Sequence, residues 1–366
     1  MAFWRKDNLQ KNASTVVIAV RGDSFYVIRG YRDKNARAIK IQGEATFSIE
    51  NSERLEQLLQ EKLGCQETDI IYYTKPSPLL LGVSLTVNLP RYEAGHPVIL
   101  DTREAMHRIK WKTADFVREE ASHYFGCSLE EVGNFGVTVE KWKETDDEVE
   151  ATLFHICVPK FSNEDNGLIQ LGTNQFVLPI VLSQEVGSGD DVEAVLHTED
   201  NLSTIAIRQN NQLKHLRSLN CGIGVIRDHL EKSLDCSKNE AEVLMKNCLE
   251  GKLSEANQKV IIRLMRQLLP LWAGMFSVAM DNIPISERPL KLLITGLFPK
   301  MIAQLYCRPQ LLMRWSHIPV KVTTLMKDDD LLGMRSSLRV ALKQMTRESN
   351  GLQIGTSVRS FQQVVS

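Results

Sequence analysis

Two stretches of the chain, residues 14–47 and 193–219, have the same pattern of strands and turns. The first reads STVVIAVRGDSFYVIRGY at 14–31 and RAIKIQGEATF at 37–47, rich in Val, Ile, Phe and Tyr and broken at Gly-Asp and Asp-Lys-Asn. β-Branched and aromatic residues favour strands, and such breaks favour tight turns. We therefore predict three strands joined by turns in this first stretch.

The second stretch, EAVLHTEDNLSTIAIRQNNQLKHLRSL, predicts a pair of strands around an Asn-Asn turn. Helical periodicity follows each stretch, at 52–63 after the first and at 224–234 and 237–251 after the second. Because strand groups alternate with helices twice over, we predict an α/β protein made from two related halves.

The residues between these stretches predict a smaller unit. LLLGVSLTVNLP (79–90) is typical of a buried strand, Asp101 opens a capped amphipathic helix, and NFGVTVEKW and EATLFHICVP are two more strands. This small α+β block covers about 85–160. FVLPIVL (176–182) predicts another strand, and the linker-like SQEVGSGDD (183–191) divides the chain into a first domain at 1–185 and a second at 186–366.

Composition excludes several classes of protein. The chain has 366 residues, 44 Lys and Arg against 45 Asp and Glu, and 43% hydrophobic residues, an ordinary globular balance. The net charge of −1 gives no support for nucleic-acid binding. Seven scattered cysteines without a CxxC pair indicate a reducing compartment, so we expect a cytoplasmic protein. No run of about 20 apolar residues predicts a membrane span.

Motifs for metals and for familiar catalytic chemistry are absent from the sequence. It contains no HExxH, CxxC, GxSxG, Walker A or GxGxxG pattern, so we predict no catalytic residue and no metal site. The helix HRIKWKTADFVR carries Trp111 between Lys110 and Lys112, a combination that suits single-stranded nucleic acid. The near-neutral net charge favours a solvated helix face with one anchoring aromatic instead.

Three turns follow strands where an actin-like fold places its phosphate and adenosine loops: VIAVRGDSF (17–25), VLHTEDNLST (195–204) and LLITGLFPK (292–300). Together with AMHRIKWKTADFV, NNQLKHLRSLNCGIGVIRDHL and NEAEVLMKNCLEG in the matching order, they give the chain a resemblance to the FtsA/PilM group of bacterial actin-like proteins. Within that group it looks most similar to PilM of type IV pilus assembly. The resemblance implies a two-domain actin-like fold, a duplicated ribonuclease H-like unit with an inserted small α+β subdomain.

The resemblance also implies the remnant of a nucleotide cleft. The residues of this cleft are spread over three turns and two helices. In a member of the family with an intact site, such a cleft would hold ATP with Mg²⁺. The residues that the resemblance assigns to it are Gly22, Ser24, Ser203, Thr204, Gly222, Glu242 and Gly296.

Departures from the family pattern weaken this cleft. Val20 stands where a carboxylate would order Mg²⁺ and its water, and Val has no such group. His197 and Glu199 replace the expected Asp and Gly, and Glu199 adds an anion beside the phosphates. Bulky residues after Gly296 replace glycines that would let the backbone approach the ligand. We therefore expect no ATPase activity and no bound cofactor, with ATP and Mg²⁺ binding as the open alternative.

The resemblance then implies a non-catalytic actin-like scaffold of a membrane-associated machine, most similar to type IV pilus assembly. Its partner would be the cytoplasmic tail of an inner-membrane protein such as PilN, bound through the block 101–159, and self-association stays open. The alternatives are an ATP-binding FtsA-like division protein or a weak ATPase switch. FtsA proteins end in a basic amphipathic helix, whereas SVRSFQQVV (357–365) alternates like a strand. We therefore expect no direct membrane insertion and a peripheral position at the inner membrane through partners.

Overall fold

The computed structural model describes part of the chain. The described ranges are 14–21, 24–33, 38–74, 79–93, 96–97, 101–160, 177–186, 189–281, 283–306, 321–324 and 334–349. Gly22 and the strand-like segment 357–365 lie outside these ranges.

The first stretch forms the predicted three strands. They are β1 (Thr15–Arg21), β2 (Ser24–Asp33) and β3 (Ala38–Ser48), followed by a 3-10 turn (Ile49–Arg54), helix α1 (Leu55–Leu63) and strand β4 (Ile70–Thr74). The sheet order is β3-β2-β1-β4, with β4 parallel to β1. α1 stops at Gly64, whose left-handed φ of 61° suits glycine.

The inserted block has the predicted order of strand, helix, strand and strand. Its elements are β5 (Leu81–Pro90), a short ladder of β6 (Tyr92–Glu93) and β7 (His96–Pro97), α2 (Thr102–Phe125), a 3-10 turn (Leu129–Glu131), β8 (Val132–Glu144) and β9 (Glu148–Pro159). The Asp101 carboxylate accepts a hydrogen bond from the Glu104 N–H at 2.8 Å, which caps α2.

The second half alternates strands with a larger set of helices. In chain order these are α3 (Leu178–Ser183), β10 (Glu193–Thr198), β11 (Ser203–Gln209), β12 (Gln212–Leu219), α4 (Ile223–Leu234), α5 (Lys238–Leu249), α6 (Glu255–Gln267), α7 (Leu269–Met280), a 3-10 turn (Ile285–Glu287), β13 (Lys291–Gly296), α8 (Pro299–Tyr306), β14 (Lys321–Thr324) and α9 (Met334–Ser349). Within the described ranges, no helix combines the length and the apolar character needed to cross a bilayer.

One eight-stranded sheet joins the inserted block to the second half. Its order is β14-β13-β10-β11-β12-β5-β9-β8, so β5 pairs with β12, with Leu81 opposite Arg217. A Cβ atom at Gly82 would lie 2.6 Å from the Phe154 ring and 2.7 Å from Leu216, so the seam requires glycine. The domain boundary at 185/186 stays a prediction, and this sheet runs across it.

The prediction of a strand at FVLPIVL is wrong, because Leu178–Ser183 is helical. All six residues of α3 are buried, so the segment shows no alternation between a core side and a solvent side. A short run that is apolar throughout fits a buried strand and a buried helix equally well. Pro179 sits in the first turn of α3, where a missing N–H costs nothing.

Helix α9 returns to the first sheet and packs on β1 and β2. Gly30 lies at this contact, and a Cβ atom there would lie 2.6 Å from the Lys40 carbonyl oxygen and 2.8 Å from Leu342 Cδ2. Real side chains do not approach this closely, so the backbone of β2 and the helix must separate if Gly30 is replaced.

Replacing Gly30 with alanine is expected to lower the free energy of unfolding by about 1–3 kcal/mol, because the added methyl group overpacks this contact. Urea unfolding followed by circular dichroism measures it. Gly274→Ala, on α7, is the control: its new Cβ meets nothing within 4 Å, so helix propensity raises stability by up to about 1 kcal/mol. Equal effects of the two substitutions would contradict the packing at Gly30.

Candidate functional site

The carboxyl ends of β10 and β13 lie side by side in the eight-stranded sheet. The strands run parallel, and Thr198 stands opposite Gly296 at their last pair. The turns that follow therefore emerge at one edge of the sheet, which is where ligands bind in open α/β sheets. Both turns are among the three that resemble nucleotide loops, so this edge is the candidate site.

The turn at Gly296 is joined to Thr198 by close backbone contacts. The Leu297 N–H donates to the Thr198 carbonyl at 2.8 Å. The Thr198 hydroxyl lies 2.9 Å from the Leu297 carbonyl oxygen and 3.1 Å from that of Thr295. Gly296 has a φ of 85°, and a Cβ atom there would lie 2.1 Å from the Thr198 carbonyl oxygen. Only glycine fits this position.

The two residues after Gly296 are buried in the core. Leu297 and Phe298 are 0% and 1% exposed, and both belong to the main hydrophobic cluster. Phe298 has a φ of 48°, a left-handed conformation that bulky residues rarely adopt. Where the resemblance implies an open glycine-rich adenosine loop, the chain has two apolar side chains packed inward.

The hydroxyl groups of the second turn are used inside the protein. Ser203 donates to the Cys221 carbonyl at 2.6 Å, and Thr204 Oγ1 lies 3.4 Å from Ser218 Oγ. Both residues are 1% exposed. A buried hydroxyl that leaves such a bond costs about 1–3 kcal/mol unless a new partner replaces it. Phosphate binding by these groups therefore requires rearrangement of the hairpin.

The amino end of α4 is closed by the same hairpin. The N–H groups of Ile223 and Gly224 donate to the carbonyls of Glu199 and Asp200 at 2.8 and 2.7 Å. A Cβ atom at Gly222 would lie 2.3 Å from the Asp200 carbonyl oxygen. Free N–H groups at a helix start attract anions. Here these donors are bonded to backbone carbonyls of the chain itself.

His197 links the second turn to β13. Its ring is 1% exposed, and Nδ1 lies 3.0 Å from Thr295 Oγ1. Nε2 lies 3.5 Å from the Glu199 carboxylate without hydrogen-bond geometry. We treat this second contact as electrostatic proximity, because 3.5 Å with poor alignment is too weak for a hydrogen bond. Sequence reasoning treated both residues only as losses and missed this link.

The structure brings together four of the residues assigned to the cleft and places the others elsewhere. Ser203, Thr204, Gly222 and Gly296 gather at one edge of the large sheet. Ser24 is half-buried at the start of β2 in the other sheet. Glu242 is half-buried on α5, which packs on α4 and α6. Gly22 lies outside the described residues.

Comparison with known proteins gives likeness in structure and none in sequence. No protein-family model matches the chain, and neither does any curated protein. A solved PilM–PilN type IV pilus biogenesis complex aligns with a TM-score of 0.57 at 10% identity, over 93% of this chain and 99% of that one.

The chain has the actin-like fold. The predicted α/β, two-domain, ribonuclease H-like architecture with a small α+β insertion is thus confirmed. Two further structures have lower scores. EutJ from Carboxydothermus hydrogenoformans aligns with a TM-score of 0.43 at 10% identity, over 90% of this chain and 91% of that one. AMPPNP-bound MreB 5 of Spiroplasma citri aligns with a TM-score of 0.41 at 9% identity, over 94% of this chain and 100% of that one.

The described residues of this actin-like chain do not fit a Mg²⁺–nucleotide as they are arranged. The hydroxyls and N–H groups at the sheet edge face partners within the protein. Among the described residues, no group of three or more His, Cys, Asp or Glu side chains is placed to hold a metal ion.

A half-buried acid lies away from this edge, where the inserted block meets the second half. Glu140 on β8 accepts a hydrogen bond from the Ser84 hydroxyl at 3.1 Å. Burial raises the pKa of this carboxyl to about 7, against the opposing effects of Ser84, Lys214 and Arg208. Burial also lowers the pKa of Arg208 to about 10. Acidic side chains with shifted pKa values occur both at functional sites and at contacts between structural units. Glu140 lies at such a contact, between β8, β5 and the β11–β12 hairpin.

Glu140→Gln is expected to stabilise the protein more at pH 8 than at pH 5. The native carboxyl, with its raised pKa, holds a proton between pH 4.5 and 7 that the unfolded chain has released, so this contribution to stability is lost as pH rises through 7. The difference between the two pH values is on the order of 1–3 kcal/mol by urea unfolding.

Glu150→Gln is the matched control for this pH effect. Lys141 holds the pKa of the Glu150 carboxyl below its ordinary value, so its titration window lies below pH 5 and its effect is the same at pH 5 and 8. An effect of Glu140→Gln that is equally constant would contradict the buried, protonated carboxyl.

Proposed function

We propose that this protein is a non-catalytic actin-like scaffold that binds the cytoplasmic tail of an inner-membrane protein, as part of a machine like that of type IV pilus assembly. One observation carries the non-catalytic part. The hydroxyls and helix N–H groups that would meet phosphates have partners within the chain itself, including the Cys221 carbonyl for Ser203 and the Asp200 carbonyl for Gly224.

Likeness to a PilM–PilN complex supports the choice of machine. That likeness is one of fold, at 10% identity, so the partner class is carried over as a proposal. In the proposed scaffold, the protein sits in the cytoplasm and reaches the inner membrane through this partner. Self-association belongs to the same proposal, because actin-like folds offer surfaces on both halves.

An exposed aromatic residue on the inserted block supports a partner surface there. Trp111 on α2 is 67% exposed. α2 buries a stripe of five residues against the block, and Trp111 points away from it. Large exposed aromatics on a surface are typical of the few residues that carry most of the binding energy in protein interfaces. We assign the tail-binding surface to this face of α2.

A nucleotide-binding switch is the second candidate, and titration separates it from the scaffold. We expect no saturable binding of fluorescent ATP with Mg²⁺ and no rise in melting temperature, since a ligand stabilises only the state that binds it. Saturable binding that is lost in Ser203→Ala and kept in Ser233→Ala, a substitution at an exposed serine of α4, would favour the switch instead.

Trp111→Ala is expected to weaken binding of the membrane partner by about tenfold or more, which is the effect of truncating a central interface residue. The tagged full chain first captures proteins from detergent-solubilised membranes, and the cytoplasmic tail of the enriched protein is then synthesised and titrated. Val278→Ala, at a 58% exposed valine on α7, is the control and leaves the affinity unchanged.

Two results would contradict the scaffold proposal. The first is capture of no membrane protein by the full chain. The second is sedimentation of the purified chain with protein-free liposomes, because the chain would then reach the membrane without a partner.

A further inference from the structure

A cleft opens between the first sheet and helix α9. Its volume is about 330 Å³, which lies within the range of pockets that hold a ligand. Residues of β2, β3 and α9 line it: Arg32, Ala38, Ile39, Ile41, Arg339, Leu342 and Lys343. α9 packs chiefly on β1 and β2 and reaches β3 through the bond from Arg339 to Glu44.

The cleft has an apolar floor and a cationic rim. Every ionisable residue that lines it is Arg or Lys. Arg339 is held by the Glu44 carboxylate at 2.7 and 3.2 Å, and Lys343 lies 3.2 Å from Glu185. Arg32 has no described carboxylate within ion-pair distance. Its planar guanidinium is suited to bind a carboxylate through two parallel hydrogen bonds.

The cleft runs along an open sheet edge. Among the described strands, β3 pairs only with β2, so every second residue of β3 turns its N–H and C=O groups away from the sheet. Ile41 on this strand is 44% exposed. An extended segment can add to such an edge through main-chain hydrogen bonds and place alternate side chains in the neighbouring pocket.

The termini of the chain do not match this surface in charge. The segment 1–13 contains two Lys and one Arg against one Asp, and 350–366 contains one Arg and no Asp or Glu. Arg32, which has no described carboxylate beside it, favours an acidic occupant. This argues against both terminal segments as the occupant.

We propose that the cleft between β3 and α9 docks an extended segment of a partner protein, in which carboxylates alternate with aliphatic side chains. The segment adds a strand to β3, its aliphatic side chains cover Ile39 and Ile41, and a carboxylate pairs with Arg32. This inference goes beyond the proposed scaffold role, because it adds a second docking surface on elements that do not include α2.

Selection from random displayed peptides of about 10 residues, the length of a long strand, on the purified full chain tests this proposal. We expect the enriched peptides to carry Asp or Glu beside Val, Ile or Leu. A synthetic copy of one enriched peptide should then lose about tenfold or more in affinity with Arg32→Glu, a shift that is measured by fluorescence anisotropy. Arg32→Gln should lose less, and it keeps the test valid if Arg32→Glu folds poorly.

The matched control is Arg263→Glu, a charge reversal at an exposed arginine of α6, which leaves the affinity unchanged. Three results would overturn the proposal: no enriched peptide, enriched peptides rich in Lys and Arg, or equal affinity for the chain and its Arg32→Glu variant. Peptide binding that appears only after removal of 350–366 would also overturn it, because the chain itself would then fill the cleft. None of these measurements depends on binding of the membrane partner at Trp111. This inference and the proposed function can therefore fail separately.

Discussion

Backbone contact at the edge of the large sheet controls what the candidate site can do. At Gly296 the chain turns so tightly that a Cβ atom would meet the Thr198 carbonyl at 2.1 Å, and at Gly222 it would meet the Asp200 carbonyl at 2.3 Å. These two approaches place carbonyl oxygens next to the donors that follow, which are the N–H groups of Leu297, Ile223 and Gly224. The N–H groups that begin these turns are therefore already bonded to carbonyls of the chain itself.

Helix α9 contacts both the turn at Gly296 and the first sheet. The Ser337 hydroxyl accepts a hydrogen bond from the Gly296 N–H at 3.3 Å, and two residues further on Arg339 is bonded to Glu44 of β3. Two positions of α9 about half a turn apart thus contact the closed turn and line the cleft at the sheet edge. α9 therefore joins the two features structurally, although they lie on different sheets.

The sequence predicted what depends on local pattern and failed where partners are distant in the chain. The antiparallel pairs β1–β2 and β11–β12 follow from turn residues between β-branched runs, and the fold was indicated by their repetition. α3 was wrongly predicted as a strand because a short, wholly apolar run has no informative period. The pairing of β5 with β12 joins residues more than a hundred positions apart, and no local signal reports it. At the site, His197 and Glu199 were seen as departures from a family pattern, but their contacts with β13 and with each other need the alignment of two parallel strands.

The hydrogen-bond donors at the candidate site already have partners within the chain, and this supports the scaffold that we propose. In a protein whose cleft needs a ligand to satisfy buried donors, stability and shape depend on the ligand concentration. Here the hydroxyl of Ser203 and the first N–H groups of α4 already have partners at 2.6–2.8 Å. The folded state therefore gains little from an added phosphate, which would have to displace bonds that cost about 1–3 kcal/mol each to leave unmade. A ligand moves an equilibrium only by its difference in affinity for the two states. In the scaffold that we propose, partner binding therefore takes place at outer surfaces, those that we assign to Trp111 and Arg32.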